Sequence, residues 1–182
     1  MKKRGLLIVV SGFAGSGKGT LMKRLTGDYD NYALSVSMTT RKPRPGEVHG
    51  REYFFVTKEE FEQKIQDDGL IEYAVYVENY YGTPRAYVEE QMAKGKNVVL
   101  EIEIQGALKV KERFPEAVLI FVLPPSVKEL YRRLKERGTE AEDVIEKRMH
   151  RAEKEADTID RYDYIMINDE VEESVKRLHS LI

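Results

Sequence analysis

One glycine-rich segment constrains this chain more than any other. Residues 12–20 read Gly-Phe-Ala-Gly-Ser-Gly-Lys-Gly-Thr. They follow a continuous apolar run at 6–10, which predicts a buried strand, and they lead into a helix predicted at 18–25. Glycines let backbone N–H groups surround phosphate oxygens, and a helix N-terminus adds a positive dipole end. A glycine-rich turn without a ligand is the alternative. The flanking strand and helix favour a phosphate-binding loop, with Lys18 reaching the outer phosphates.

The rest of the chain alternates between short apolar runs and helical patterns. Strands are predicted at 6–10, 33–38, 53–56, 71–77, 98–104, 118–123 and 164–167, and helices begin near 18, 57, 83, 105, 126, 139 and 171. Continuous apolar strands that alternate with helices predict an α/β fold, in which helices cover both faces of a parallel sheet. The length of 182 residues fits one domain, at about 150 residues per domain.

Local signals place the helix ends and mark one insertion. Ser/Thr-x-x-Glu capping boxes at Thr57, Ser126 and Thr139 predict helix starts, and Thr83-Pro84 predicts another. Glycines at 27, 69, 95 and 138 predict helix ends. Residues 39–83 break the strand–helix rhythm because they are rich in Pro, Gly and Tyr. We predict that they form a small antiparallel subdomain inserted into the core.

A basic loop precedes that insertion's first helix. Residues 41–51 contain Pro43, Pro45 and two arginines three positions apart, Arg41 and Arg44. Arginine binds phosphate through two parallel hydrogen bonds, and the prolines stiffen the loop that would present it. The alternative is a solvated basic loop without a ligand.

Two polar residues of the insertion have competing interpretations. Glu72 lies in an otherwise apolar predicted strand, where a carboxylate either faces water or serves a site. Thr83 precedes Pro84 and suits a helix N-cap as well as a ligand contact.

A pair of acids ends a predicted core strand. In the run Leu-Glu-Ile-Glu-Ile at 100–104, strand alternation places Glu101 and Glu103 on one face. Open α/β sheets bind ligands at the carboxyl ends of their strands, so we expect this pair to serve a site.

Four arginines on the late helices form two pairs with helical spacing. Arg133 and Arg137 are four apart, and Arg148 and Arg151 are three apart, so each pair shares a helix face. Weak surface ion pairs with neighbouring glutamates are the alternative to a ligand role.

Composition excludes several classes of protein. The chain has no cysteine and three histidines, which excludes disulfides and thiolate metal sites and disfavours a histidine metal site. Thirty basic and 32 acidic residues give a net charge of −2, so there is no general field for nucleic acid. No apolar run approaches the roughly 20 residues of a membrane span. We expect a cytoplasmic protein without a nucleic-acid or membrane partner, whose local basic clusters bind a small polyanion.

Together these motifs resemble the guanylate kinases, a family of nucleoside monophosphate kinases. The resemblance runs from about Leu6 to the C-terminus. Its most specific parts are Ser-x-Thr-Thr-Arg-x-x-Arg-x-Gly-Glu at 37–47, Asn-Tyr-Tyr-Gly at 79–82, acid-x-acid-x-Gln-Gly at 101–106, Arg-Gly-Thr-Glu at 137–140 and Ile-Asn-Asp at 167–169.

The resemblance assigns roles to individual residues. It implies that the GMP phosphate is held by Arg41, Arg44, Tyr53 and Tyr81, and that guanine is read by Ser37, Glu72, Thr83 and Glu103. It implies that ATP is held by Gly12, Phe13, Ala14, Gly15, Ser16, Gly17, Lys18, Gly19 and Thr20, with Arg133 nearby and Asn168 at the adenine. The implied catalytic residues are Lys18, Arg41, Arg137 and Arg148.

The implied reaction is ATP + GMP ⇌ ADP + GDP, with dGMP as a further expected acceptor and Mg²⁺ as the cofactor. Gly19 leaves no hydroxyl directly after Lys18, so Thr20 would contact Mg²⁺ itself or through water. The implied division of the single domain is a core at about 1–34, 85–125 and 159–182, a GMP-binding insertion at about 35–84 and a lid at about 126–158. A non-catalytic binding module of the same fold and a related sugar-phosphate kinase stay open as alternatives, as does the oligomeric state.

Overall fold

A computed structural model of the protein describes residues 3–76, 78–136, 138 and 141–182. These residues form two sheets, one with five strands and one with four, together with seven α-helices. The strands are β1 (Leu7–Gly12), β2 (Tyr32–Leu34), β3 (Met38–Thr39), β4 (Phe54–Phe55), β5 (Leu70–Tyr76), β6 (Asn79–Pro84), β7 (Asn97–Glu101), β8 (Val118–Leu123) and β9 (Tyr164–Ile167). The helices are α1 (Lys18–Asp28), α2 (Lys58–Gln66), α3 (Arg85–Ala93), α4 (Ile104–Arg113), α5 (Val127–Glu136), α6 (Glu142–Ala156) and α7 (Val171–Leu181).

The five-stranded sheet is parallel throughout, in the order β2-β7-β1-β8-β9. Alternate residues of β1 point into different clusters of buried side chains. Leu7 and Val9 belong to one cluster with α3, α4, α5 and α6, and Ile8 and Val10 belong to another with α1 and α7. Both faces of the sheet are therefore covered by helices, which confirms the fold class predicted from continuous apolar strands.

The four-stranded sheet, in the order β4-β3-β6-β5, lies within the segment that interrupts the core. Its β6 strand pairs antiparallel with β3 and β5, whereas β3 pairs parallel with β4, so the sheet is mixed. The prediction of a purely antiparallel subdomain is wrong in this respect. The single strand predicted at 33–38 is also wrong, because β2 and β3 belong to different sheets and the chain crosses between them at 35–37.

Helix ends agree in part with the sequence signals. The Thr57–Glu60 capping box forms in both directions, and Ser126 Oγ accepts from Glu129 N at 3.1 Å. Gly27 does not end its helix, because α1 continues to Asp28. Helix α6 begins at Glu142 with Ala141 as its N-cap, and the predicted cap Thr139 lies outside the described residues.

Within the parts of the chain given above, no helix combines the length and the apolar character needed to cross a lipid bilayer.

Candidate functional site

The phosphate loop (residues 12–20) joins the carboxyl end of β1 to the N-terminus of α1. Gly17 is the N-cap of α1 with φ of 89°, a left-handed conformation that glycine adopts without strain. A Cβ at this position would also lie 2.5 Å from Nδ2 of Asn168, so a larger residue would displace that amide. No side chain caps this helix end and its first turn carries no acid. Its free N–H groups therefore suit an anion.

Lys18 lies half-buried at the start of α1, with its ammonium turned toward the loop. Its Nζ donates to the carbonyl oxygen of Gly12 at 2.6 Å and to that of Phe13 at 3.0 Å. Desolvation lowers the pKa of Lys18, while the carboxylates of Glu101, Glu155 and Glu103 oppose that shift. Partial desolvation raises the pKa of Glu101, and the charge of Lys18 opposes this shift. Lys18 thus supplies a positive charge to the loop, and the nearby carboxylates favour its protonated form.

Two side chains from distant parts of the chain hold the phosphate loop by its backbone. The amide of Asn168, which follows β9, donates to the carbonyl oxygen of Ser16 at 2.9 Å. The guanidinium of Arg133 on α5 donates to the same oxygen at 3.3 Å and to the carbonyl oxygen of Asn168 at 3.0 Å. Glu129 accepts from Arg133 Nε at 2.7 Å and so orients it. The structure therefore brings both predicted residues to the loop, on its protein side.

Glu72 and Thr83 form a buried polar pair between β5 and β6. Thr83 Oγ1 donates to Glu72 Oε1 at 2.8 Å, and both residues are buried. Burial raises the pKa of Glu72, while the Thr83 hydrogen bond and the charge of Lys109 act in the opposite direction. The water-facing interpretation of Glu72 is therefore wrong. The N-cap interpretation of Thr83 is wrong as well, because Thr83 lies in β6 and α3 begins after Pro84.

The carboxylate of Glu72 approaches α4 closely at Gly106. A Cβ on Gly106 would lie 3.1 Å from Glu72 Oε2, which is tighter than ordinary packing. A side chain at this position would push the carboxylate away from the helix. The glycine thus leaves one oxygen of Glu72 at a helix surface while the other is bound to Thr83.

Arg41 lies among aromatic rings at the end of β3. Its guanidinium carbon is 5.4 Å from the ring centre of Tyr53 and 5.7 Å from that of Phe55, and the rings of Tyr53 and Tyr81 are 6.0 Å apart. Two of its nitrogens donate to the carboxylate of Glu47 at 3.0 and 2.9 Å. Arg41 is therefore held in one place, contrary to the solvated-loop interpretation.

Two further predicted residues flank this cluster. Arg44 is exposed, and its backbone N–H donates to Glu47 Oε2 at 2.7 Å. Ser37 is half-buried just before β3, and its carbonyl oxygen accepts from Phe54 N at 2.9 Å.

Glu101 and Glu103 do not share a strand face, so that expectation is wrong. Strand β7 ends at Glu101, and Glu103 is the N-cap of α4. The carboxylate of Glu103 accepts from Arg151 on α6 at 3.0 Å, and of the two acids Glu101 acts more strongly on Lys18. The short connection between strand and helix breaks the alternation that the sequence pattern assumes.

The two predicted arginines of α6 lie within the described part of the chain. Arg148 lies half-buried on α6. Arg151, one turn further on, also donates to Glu155 at 2.6 Å. Arg137 lies outside the described residues, so its predicted place stays a prediction.

Two features were not predicted from the sequence. One is the set of ion pairs that connects the two sheets, and the other is the partner of Arg41. Asp68, just before β5, pairs with Arg85 at 2.8 Å and with Arg113 on α4. Arg113 also donates to the carbonyl oxygens of Leu70 and Ile71 at 3.2 Å. Glu47 carries one available signal: it is the lone acid at 38–51 among four basic residues.

The described residues hold no group of three or more His, Cys, Asp or Glu side chains arranged to bind a metal ion. Thr20 is exposed on the first turn of α1, and Oε1 of Glu101 lies 3.9 Å from where a Cβ on Gly19 would be. A hydroxyl and a carboxylate are oxygen donors of the kind that Mg²⁺ prefers, and Mg²⁺ commonly takes its other ligands from phosphates and water. The donor set fits a magnesium ion bound together with a nucleotide.

A parallel sheet with a phosphate loop before α1 is the architecture of the P-loop kinases. Shikimate kinase from Bacteroides thetaiotaomicron has the same fold, with a TM-score of 0.53, 20% identity and coverage of 97% of each chain. The guanylate kinase family model matches residues 4–182. The chain belongs to the guanylate kinase family, whose members are nucleoside monophosphate kinases.

Individual relatives support that assignment along the whole chain. Guanylate kinase from Halalkalibacterium halodurans is 54% identical over 181 residues, covering 100% of this chain and 89% of that protein. Guanylate kinase from Oceanobacillus iheyensis is 51% identical over 182 residues, covering 100% of this chain and 88% of that protein. The crystal structure of guanylate kinase from Anaplasma phagocytophilum has a TM-score of 0.75 at 35% identity, covering 99% of this chain and 85% of that one.

Proposed function

We propose that this protein transfers the γ-phosphoryl group of ATP to GMP, giving ADP and GDP. The observation that carries the proposal is the buried Glu72–Thr83 pair on the sheet that also presents Arg41 and Tyr81. Tyr81 and Thr83 are two apart on β6 and so share one face. A buried carboxylate at one place on this sheet, with a tyrosine further along β6 and an arginine after β3, suits a ligand with paired N–H donors at one end and a phosphate at the other.

The chemistry of guanine fits the Glu72 end. Guanine presents two neighbouring donors, N1–H and the 2-amino group, which a carboxylate accepts, and a carbonyl oxygen at position 6. Adenine places an acceptor at N1, which would face the carboxylate without a hydrogen bond. A buried polar group left unpaired costs about 1–3 kcal/mol. We assign guanine reading to Ser37, Glu72, Thr83 and Glu103, with Glu103 reaching the base after release from Arg151.

The phosphate of GMP would be bound by Arg41, Arg44, Tyr53 and Tyr81. Arg41 supplies a fixed guanidinium, and the tyrosine hydroxyls supply neutral donors. The acceptor phosphate has a second pKa of about 6 and is mostly dianionic at neutral pH, so no general base is required.

The triphosphate of ATP would lie in the phosphate loop. Backbone N–H groups at 12–20 and the N-terminus of α1 would bind its oxygens, with Lys18 turning from the loop carbonyls to the outer phosphates. Arg133 and Asn168 would support this loop, and Asn168 would also lie near adenine. Thr20 and Glu101 would be the protein oxygens that hold Mg²⁺, which would supply charge neutralisation for the transfer.

We propose that two segments close over the reactants. The insertion at about 35–84 would carry GMP toward the core, and the lid at about 126–158 would bring Arg137 and Arg148 to the transferred group. Closure excludes water, which would otherwise hydrolyse ATP.

A coupled assay of ADP release tests the proposal directly. The enzyme is given ATP and Mg²⁺ with GMP, dGMP, AMP, UMP or ribose 5-phosphate in turn. We expect GMP to be used with kcat/KM at least about 10³-fold above that for AMP. No turnover with any acceptor would favour a binding module, and a preference for ribose 5-phosphate would favour a sugar-phosphate kinase. Either result would contradict the proposal.

A further inference from the structure

The loop that carries Arg41 and Arg44 is closed around one carboxylate, that of Glu47. Its two oxygens accept from Arg41 Nη1 at 3.0 Å and from Arg41 Nη2 at 2.9 Å. Oε2 also accepts from the backbone N–H of Arg44 at 2.7 Å, and Glu47 N donates to the Arg44 carbonyl oxygen at 3.0 Å. Both side chains are largely buried, with 16% exposure for Arg41 and 18% for Glu47. Glu47 is therefore attached to the backbone on one side and to the guanidinium on the other.

The hydrogen bonds of Arg41 leave one side of the guanidinium for a ligand. A guanidinium has five N–H groups. Two of them bind Glu47, and a further one on Nη1 binds the carbonyl oxygen of Lys42 at 2.8 Å. The Nε–H and the second Nη2–H, which lie on one edge, form the other two-pronged donor that an oxyanion can occupy. The pKa of Arg41 is raised chiefly by its hydrogen bond to Glu47 and less strongly by a hydrogen bond to the Tyr81 hydroxyl, so Tyr81 lies at the same guanidinium and would share a bound oxyanion with it.

We propose that Glu47 is the positioning residue of the acceptor phosphate site: it binds one edge of Arg41 so that the Nε–Nη2 edge is presented to the phosphate of the nucleoside monophosphate. This inference rests on the proposed function. The aromatic rings of Tyr53 and Phe55 hold the plane of the guanidinium, and Glu47 sets its rotation in that plane. A long arginine side chain that is ordered before the ligand arrives loses less conformational entropy on binding.

A second carboxylate in the same loop provides a matched control. Glu52 accepts from the backbone N–H of Val48 at 2.7 Å and from Arg51 Nε at 2.6 Å. It therefore makes the same two kinds of contact as Glu47, one to backbone and one to an arginine, but with Arg51 in place of Arg41.

The experiment compares Glu47→Gln with Glu52→Gln in steady-state kinetics and in binding of GMP and of guanosine, which lacks the phosphate. A glutamine at 47 places an N–H donor against the guanidinium and loses one of its two bonds. We expect the KM and dissociation constant for GMP to rise about 10- to 100-fold in Glu47→Gln. The KM for ATP and the affinity for guanosine should change less than about two-fold, and Glu52→Gln should resemble the wild type in all four quantities.

Three results would overturn the inference. A lower KM for GMP in Glu47→Gln would make the carboxylate a competitor of the phosphate. An unchanged KM would leave Arg41 positioned without it, and an equal loss for guanosine would indicate a merely structural role. A wild-type protein that fails to bind GMP would instead contradict the proposed function itself.

A double-mutant cycle keeps the test informative if Glu47→Gln is poorly folded. In an Arg41→Lys background the two-pronged donor is absent, so adding Glu47→Gln should raise the KM for GMP by less than about three-fold. Equal effects of Glu47→Gln in both backgrounds would show that Glu47 acts independently of Arg41 and would overturn the inference.

Discussion

The two sheets of this protein are held together by different means. Among the described residues, the five-stranded sheet lies between clusters of 19 and 12 buried side chains, whereas the four-stranded sheet has a cluster of three: Met38, Phe61 and Leu70. The small sheet instead contains polar contacts such as Glu72–Thr83 and, in its adjoining loop, Arg41–Glu47. Burial of apolar surface is the main source of stability, so we expect the small sheet to open at a lower free energy than the core. The part proposed to recognise the acceptor is thus the less packed one.

The boundary between the two regions runs along β5. Its first residues are fixed: Ile71 belongs to the larger core cluster, and Arg113 binds the carbonyl oxygens of Leu70 and Ile71. Its last residues, Val75 and Tyr76, are more than half exposed. Strand β5 therefore begins in the core and ends in the segment proposed to close over GMP, so we expect its first residues to be the pivot of that closure.

The largest effect is expected from truncating the core. Phe121 on β8 is fully buried, with its ring 5.2 Å from that of Phe13 and 4.9 Å from that of Tyr162. Phe121→Ala should lower the free energy of unfolding by about 3–5 kcal/mol. Urea denaturation measures this directly, and a loss below about 1 kcal/mol would show that the core tolerates a large cavity.

The same truncation in the small sheet should act locally. Phe61 is fully buried, and its ring stacks on that of Tyr80 at 5.0 Å. We expect Phe61→Ala to speed amide hydrogen exchange throughout 38–84 while β1 and β8 keep their protection. Affinity for GMP should fall and affinity for ATP should not. Uniform loss of protection in both sheets would mean that they unfold as one unit.

Removing the positive charge of the phosphate loop should lower the rate of phosphoryl transfer without lowering the stability of either sheet. Lys18→Met should lower kcat at least about 10²-fold, the scale expected for a lost preorganised donor. The unfolding midpoint should stay within a few degrees of the wild type, because Lys18 contacts loop carbonyls rather than the core. Near-normal turnover in this variant would remove the loop from the proposed mechanism.

Substitution of Glu72 should have opposite effects on the stability of the protein and on its recognition of GMP. Burial raises its folded-state pKa above the ordinary glutamate value of about 4.3. Its favourable contribution to stability is therefore present at acid pH and lost as the pH rises through the folded-state pKa. Glu72→Gln keeps an acceptor for Thr83 and removes the buried charge, so we expect an equal or higher melting temperature at neutral pH.

The same variant should lose guanine recognition. The ionised carboxylate is the form that accepts from guanine, so kcat/KM for GMP should fall as the pH is lowered through the raised pKa. Glu72→Gln should raise the KM for GMP about ten-fold or more and narrow the preference for GMP over AMP. In this variant, the decrease in kcat/KM that is due to protonation of Glu72 should be absent. The decrease in kcat/KM at low pH that is due to protonation of the GMP phosphate should remain in both the variant and the wild type. An unchanged preference for GMP over AMP would make Glu72 structural.

The smallest effect is expected at the ionic connection between the sheets. Asp68 pairs with Arg85 and Arg113, but its side chain is 65% exposed, and exposed pairs contribute about 1 kcal/mol or less. Asp68→Asn suits the backbone, because asparagine tolerates the φ of 52° at this position. If Asp68→Asn lowers the free energy of unfolding by more than about 2 kcal/mol in urea denaturation, the two sheets are connected mainly by these ion pairs instead of by Ile71.

Sequence reasoning succeeded where local pattern and environment agree. The predicted bounds of β8 and β9 and the predicted start of α7 are those observed, because the strands are continuous apolar runs and the helix has a regular apolar face. The phosphate loop was equally predictable, since its glycines, lysine and flanking elements are contiguous in the chain. These features depend on neighbours in sequence.

The remainder depends on distant pairing. Strand β6 has no apolar alternation and contains Gly82 and Pro84, and it exists because β3 and β5 pair with it. The partners of Arg41 and Asn168 lie in irregular segments, where no periodicity indicates the direction of a side chain. Strand alternation wrongly predicts one face for Glu101 and Glu103, because nothing in the sequence marks the end of β7 between them.

The contact between Asn168 and Ser16 has a consequence for biosynthesis. These residues are 152 positions apart, so this support of the phosphate loop comes from a segment that is synthesised long after the loop itself. A nascent chain can form β1, α1 and much of the parallel sheet earlier, because domains begin to fold from the N-terminus during synthesis. Until Asn168 emerges, Ser16 lacks this bond and the loop lacks the support that the Asn168 side chain provides. Nucleotide affinity should therefore arise late, when β9 adds the final edge of the sheet.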